Sequence, residues 1–520
     1  MNPTIPPIGS SSETPDATAY QSLLGLEIEM VPVHSGTGTS QPVSRYFDAL
    51  RSIKLAKGVR ATPFMLQGHC VALHTATGEC GLDNGFNLLE TALAPVNGGP
   101  GGLARLAQLA HEELADTMAA LLADDACVLN ASQHPACRRD ADWYSKVCVP
   151  RPIYDELRGY RGWHHWEGID AKAQNGANTS VPVHDAVAAL NISLALAPAA
   201  IALFGNSPLE SGRVTGLKET RMTLWPRVFG PARFAGDAWL SQYPGRPFHG
   251  LGDFFTWMFG EGTVSRALPI SDAGDYKSAA TAVLADDPCL SSFLKAPGWT
   301  ARCLDTGKVT HLLPDTAHFE YSQIGQFLDA RLRYALRTRP PLAELLAAWQ
   351  QEHGLEQLFE QCGAQVYIEA RAPGAGFADA VLLQEAGAEV AHSMLLAPIA
   401  LQCGLLANLD EASRLVASWG WQPLGRLRQP AMRRGLEDDR VTALCTEVLA
   451  VARDGLAMVD RPWLAYADHV LQTRRSAADR MLASWHAASG TPEDRLALIA
   501  RRHAALHPDQ YGGLGAAQQA

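Results

Sequence analysis

The sequence predicts an α+β fold, and three observations carry that prediction. Strands of period two open the chain, one further strand recurs at Gln365 to Arg371, and Gly376 to about Leu506 reads as amphipathic helix rich in Ala, Leu and Arg. The first strand is Leu24 to Val31, where apolar and acidic residues alternate so that Glu27 and Glu29 share a face. Pro63 to Leu73 reads as a second strand, and Asn87 to Leu93, which carries Glu90, as a third. Asn97 to Gly102, NGGPGG, is a loop, and Leu103 to Ala123 is a helix with Glu112 and Glu113 on its polar side. The segment from Phe327 to Glu360 has a helical pattern broken at Pro340-Pro341. In the strand at 365–371, Tyr367, Glu369 and Arg371 lie on one face and Val366, Ile368 and Ala370 on the other.

Composition narrows the class of function. The 520 residues carry a formal net charge of -11, which repels a phosphate backbone and argues against a nucleic-acid partner. Hydrophobic residues at 47% against 19% charged supply a sizeable core. The ten cysteines are scattered, with no CxxC pair, which fits reduced thiols in the cytoplasm. The N-terminus lacks the basic and apolar regions of a secretory signal. Ala186 to Phe204 is almost uncharged, but Asn191, Ser193 and Pro198 make it a buried helix bent or restarted at the proline rather than a membrane span.

Chemistry concentrates on the strands. Glu27, Glu29, Glu90 and Glu369 sit among aliphatic neighbours, where an unpaired carboxylate is costly, and such a set makes sense around a hard cation such as Mg²⁺. The alternative is that each faces solvent. Lys218, Arg221, Arg233 and Arg371 are placed to neutralise phosphoryl oxygens, with a solvated surface role as the alternative. Gly212 to Lys218 is not a P-loop, because its glycine spacing is short and no Ser or Thr follows the lysine. The adjacent His164 and His165 diverge and read as loop or packing residues.

Four motifs in order resemble the glutamate–cysteine ligases of the plant and proteobacterial type. Gly25-Leu26-Glu27-Ile28-Glu29 is similar to their GxExE opening strand. Asn191 to Pro208 resembles their helix running into a FANSP loop, with Gly205 in place of alanine. Glu219-Thr-Arg221-Met-Thr-Leu-Trp225 with Arg233 resembles an SxRxxxW…R segment, with Glu219 where serine is usual. Tyr367-Ile-Glu369-Ala-Arg371 resembles a YLExR strand.

The resemblance implies a glutamine-synthetase-like fold, a curved and mainly antiparallel sheet with helices around it and a helical C-terminal region. It implies an ATP-dependent ligase that converts the glutamate γ-carboxylate to an acyl phosphate and joins it to the amine of cysteine. Another amine acceptor, or a non-catalytic relative that binds nucleotide or amino acid, is the alternative. The metal ligands implied are Glu27, Glu29, Glu90 and Glu369 for Mg²⁺, and the catalytic residues are Arg221 and Arg371. Arg233, Lys218 and Asn178 are implied in nucleotide or substrate binding, Asn178 standing where the family has a Gln or His ligand and Asn175 being second choice. Trp257, in Phe254 to Met258, lines the amino-acid pocket or packs. The expected organisation is a disordered tail at 1–17, a catalytic domain at 18–400, a helical region at 401–508 and a loose tail at 509–520. The expected partners are ATP, glutamate and cysteine or another amine, with no nucleic acid, no membrane, and a monomer or homodimer.

Overall fold

Why the strand at Leu24 continues beyond Val31 is visible in its neighbours. In the computed structural model, which describes residues 22–271 and 280–511, it finds partners along its whole length. Ten strands make the main sheet. They are β1 (Leu23–His34), β2 (Thr62–Leu66), β3 (His69–Thr75), β4 (Gly78–Leu82), β5 (Leu89–Leu93), the short β6 (Val96–Asn97), β7 (Ala126–Leu129), β8 (Asn175–Val181), β9 (Ala330–Ala335) and β10 (Gln365–Ala370). Their order is β9-β10-β8-β1-β5-β4-β3-β2, with β6 and β7 also pairing to β1, and every pairing is antiparallel.

Register decides which side chains meet, because residues directly opposite in an antiparallel pair share a face. Arg331 lies opposite Glu369, Glu369 opposite Asn178, Glu27 opposite Gly176, and Glu29 opposite Glu90. The acidic residues of β1, β5 and β10 and the arginines of β9 therefore stand on one face. At Gly176 a Cβ would lie 3.3 Å from the Cβ of Glu27, so glycine leaves that carboxylate its room. The other face of β1 buries Leu24, Leu26, Ile28 and Met30 in the main core.

Helices back that apolar face. Helix α1 (Gly102–Leu121) packs on β1, α2 (Ala186–Ala195) on β9 and β10, and α4 (Ala397–Ala407) on β8. Between them α3 (Ala197–Phe204) continues from α2 after a bend of 50°. Pro198 sits in the first turn of α3, where its missing N–H costs no hydrogen bond. The expected buried, bent helix is what forms. Among the described residues no single helix is long and apolar enough to cross a membrane.

Three expectations need correction. Pro63 to Leu73 is a hairpin rather than one strand, turned at Gln67 and Gly68, whose φ values are 48° and 84°. Glu113 is not on a polar face: it is buried and holds Lys54 at 2.6 Å. The helical reading of 327–360 is right only for Leu342–Trp349 and Gly354–Gln361, because β9 precedes them. There Arg331 and Arg333 alternate with buried Leu332 and Tyr334, the period of a strand.

From Ala380 the chain is almost wholly helical and then returns to the sheet. Asn130 N–H donates to the His503 carbonyl (2.8 Å), Ala505 N–H to Val128 (2.9 Å), and Leu506 N–H to Ala378 (2.8 Å). His503 links Asp379 Oδ2 (2.7 Å) to Ser484 Oγ (2.9 Å), all three buried, as a tie between the last helices and the core. Residues 1–17 lie outside the described residues, as do 512–520, while Pro508–Gln510 forms a turn and Tyr511 is buried.

Candidate active site

The shared face of β1, β5, β9 and β10 opens into a cleft of about 910 Å³, counting its mouth. One half is acidic. Glu27, Glu29 and Glu90 project from β1 and β5, with Asp83 just beyond β4. Lys172 sits between Glu29 (3.0 Å) and Asp83 (2.9 Å). Burial pushes the Glu29 carboxyl up, and Lys172 acts against that.

Glu27 is the exception in this half. It has no ion-pair partner among the described residues, and burial together with Glu369 and Glu90 pushes its carboxyl up to about 7. A buried carboxylate in that position is either protonated or neutralised by a cation.

The other half is basic. Burial alone would raise Glu369, but Arg331 (3.2 Å), Arg371 (2.9 Å) and Arg333 (3.6 Å) hold it well below the usual carboxylate range. Arg266 joins them from a loop and donates to the Gly325 carbonyl at 2.7 Å. Burial, with Arg161 beside it, brings Arg266 down to about 9, and burial next to Arg371 brings Arg331 down to about 10. Guanidiniums depressed in this way mark a local surplus of positive charge that an anion relieves. Trp225 and Phe327 wall this half, 4.7 Å apart, with Arg371 over Trp225 and Arg266 and Arg331 over Phe327.

The structure thus brings together Glu27, Glu29, Glu90, Glu369 and Arg371 of the residues expected from sequence. Asn178 stands on the same sheet face, but in an adjoining cavity of about 540 Å³ that shares Glu27 with the cleft. The runner-up Asn175 donates to the Gly376 carbonyl (3.1 Å) and serves the backbone.

Four expected residues stand outside the cleft. Arg221 is buried behind it and spends its guanidinium on Glu219 (2.8 Å) and on the carbonyls of Arg371, Ala372 and Pro373 (3.2, 2.9 and 3.2 Å). Lys218 pairs with Glu437 at 2.9 Å and with Asp479, tying its loop to the C-terminal helices. Arg233 is exposed and stacks 4.3 Å from the Tyr160 ring. Trp257 packs against Phe248, 5.4 Å between ring centroids, in a core cluster.

Sequence reasoning missed Asp83, Lys172, Arg266, Arg331 and Arg333. Only the β9 pair carried a readable signal, the Arg-Leu-Arg-Tyr alternation; the others lie in loops without periodicity. His165 is buried at the cleft wall, hydrogen-bonded to Tyr144 (3.1 Å), and burial pushes its imidazole down to about 3.

Oxygen donors alone form the acidic half, which suits a hard cation such as Mg²⁺. Among the described residues, however, no three carboxylate, His or Cys groups are gathered closely enough to hold a metal as they stand. Glu29 and Glu369 already have cationic partners, which makes Glu27 the best fit for a metal; Glu90 stands on the neighbouring strand, opposite Glu29.

Residues 83–242 match Glutamate-cysteine ligase family 2 (GCS2). The matched stretch of the GCS2 family covers Asp83, Glu90, Lys172 and the Arg221 clamp, and lies beside β1 and β10 in the sheet. No curated protein matches the chain in sequence. Among solved structures, the chain is similar to a glutamate–cysteine ligase of Francisella tularensis in complex with AMP, at 12% identity and a TM-score of 0.40, over 96% of this chain and 90% of that one.

Proposed function

We propose that this chain is an ATP-dependent ligase that forms γ-glutamylcysteine from glutamate and cysteine. The observation that carries the reading is the two-signed cleft: carboxylates with an unneutralised Glu27 on one side, surplus arginines on the other. Together with the family match, this suits a reaction in which charge gathers on transferring phosphoryl oxygens.

The γ-phosphoryl group passes from ATP to an oxygen of the glutamate γ-carboxylate, and ADP departs. The cysteine nitrogen then attacks the acyl carbon, phosphate leaves, and the nitrogen loses its proton to solvent. Arg331 and Arg371 neutralise the phosphoryl oxygens, and Glu369 fixes the fork of each guanidinium. Lys172 bridges Glu29 and Asp83 and offsets their mutual repulsion, so the acidic wall keeps its shape. Trp225 and Phe327 exclude water from the arginine half, which strengthens each charge contact there.

Glu27 and Glu90 would hold Mg²⁺, and the ion would supply positive charge to offset the nucleotide phosphates. Arg221 acts as a positioning residue, since every contact it makes fixes the backbone that follows β10 or the Glu219 beneath it. The ten cysteines are all unpaired, which supports work in the reducing cytoplasm.

The test is phosphate release from ATP with glutamate and Mg²⁺, run with cysteine and a panel of other amines. Cysteine-dependent release with γ-glutamylcysteine as product is expected. Release with a different amine alone would move the acceptor, and no acceptor-dependent release would sink the ligase reading.

A further inference from the structure

Behind the cleft lies a second cavity, of about 690 Å³, that shares no lining residue with it. A single stretch of chain forms the wall between them. Ile169 and Lys172 line the cleft, while Asp170 and Ala171 line the cavity behind.

The second cavity is built from buried polar groups. Asp170 is 1% exposed, and its Oδ2 accepts from Asn87 Nδ2 (3.0 Å) and Trp143 Nε1 (3.1 Å). Its Oδ1 has no hydrogen-bond partner among the described residues. The other proton of the Asn87 amide goes to Ser40 Oγ (3.0 Å), so Asn87 is locked in place and holds the carboxyl still.

His134, also 1% exposed, lines the same cavity. Its Nδ1 accepts from the Ala136 N–H (3.0 Å), which puts the ring proton on Nε2. That Nε2 completes no hydrogen bond of good geometry among the described residues, though the Gly38 and Thr39 backbone lies close to the ring. Burial pushes the ring down to about 4, so it is neutral near pH 7 and Nε2 is a donor. Arg138 is exposed at the edge of the cavity, its guanidinium held 4.8 Å from the Trp143 ring.

Burial pushes the Asp170 carboxyl up while its Asn87 and Trp143 donors act against that, so an ammonium beside Oδ1 would favour its ionised form. A buried carboxyl acceptor, a buried donor and a mouth cation in one cavity select a ligand with both signs. We propose that this cavity binds a small zwitterionic amino acid, its ammonium on Asp170 Oδ1 and its carboxylate on His134 Nε2 and Arg138. Ala136, Cys137 and Ala171 leave a largely apolar surface for the ligand's side chain. The site communicates with the cleft through the shared wall. The Ala171 carbonyl accepts from the His134 N–H (2.8 Å), and the next residue, Lys172, holds Glu29 and Asp83.

Calorimetric titration of the full chain tests this, with L-leucine, butylamine and butyrate as probes and ATP held saturating. L-Leucine binds, and butylamine and butyrate each bind about tenfold more weakly, the worth of one charge-assisted contact. Arg138→Ala, an exposed change that leaves the fold intact, lowers L-leucine to the butylamine level and leaves butylamine unchanged. Asp170→Asn weakens both amines about tenfold and leaves butyrate unchanged. No amino-acid binding up to roughly 10 mM means a cavity that holds water only, and overturns the proposal. Binding unchanged in Arg138→Ala assigns the amino acid to the cleft and overturns it as well.

Discussion

Arg221→Lys separates a residue that positions the cleft from one that touches substrate. Arg221 is buried and makes one contact to the Glu219 carboxylate and three to successive carbonyls at residues 371–373, with a longer one to Gln174 (3.4 Å). Lysine keeps the charge and can keep the pairing with Glu219, itself 0% exposed and fixed by Ser132 (2.8 Å) and the Asn206 N–H (2.6 Å). It cannot reproduce the planar fork, so the three carbonyl contacts are lost. At about 1 kcal/mol each, that is about 3 kcal/mol of stability. The assay is urea unfolding followed by fluorescence, in which the midpoint falls while the slope is unchanged. Turnover falls as well, through a loosened Arg371, and mainly in kcat rather than in the KM for ATP. An unchanged midpoint with turnover lost would refute the reasoning, because only a residue in contact with substrate gives that combination.

Two further outcomes follow from the same geometry. Glu27 is raised from 4.5 to about 7, so its contribution to stability is full below 4.5 and is lost as pH rises through about 7. The metal-free protein therefore melts lower at pH 8 than at pH 6, Glu27→Gln flattens that difference, and Mg²⁺ restores the wild-type melting point at pH 8; a pH profile unaltered by the substitution would refute the assignment. Lys218→Ala and Arg233→Ala leave the KM for ATP within about twofold, since neither side chain reaches the cleft, and the Lys218 pairs contribute about 1 kcal/mol or less. A tenfold rise in KM from either would return that residue to the nucleotide.

How much could be read in advance depends on how local each signal is. The β1 and β10 faces were legible because strand alternation fixes neighbours two residues apart, so Glu27 with Glu29, and Glu369 with Arg371, were placed correctly in relation to each other. That Glu90 faces Glu29 and that Asn178 faces Glu369 is set by pairing between distant segments, which no local pattern encodes. β9 was hidden by its helical surroundings, and with it two of the arginines that hold Glu369. Lys218, Arg221 and Arg233 lie near one another in sequence, yet each turns to a different partner. Motif spacing carries no orientation once the chain leaves a regular element.

The return of the chain at residues 503–506 to the edge of β7 has a consequence for biosynthesis. Asp379, bonded to His503, also receives Asn130 (2.7 Å), and Asn130 in turn accepts from Phe377 N–H (3.0 Å) and Asn206 (2.7 Å). Those same few residues anchor the segment that leaves β10 with Arg371. A ribosome that has produced only the first 480 or so residues has therefore made both halves of the cleft, but not the clasp that fixes one against the other. Completion of the cleft waits on residues 503–506, and a product that ends before them is left with an unsecured Arg371 segment.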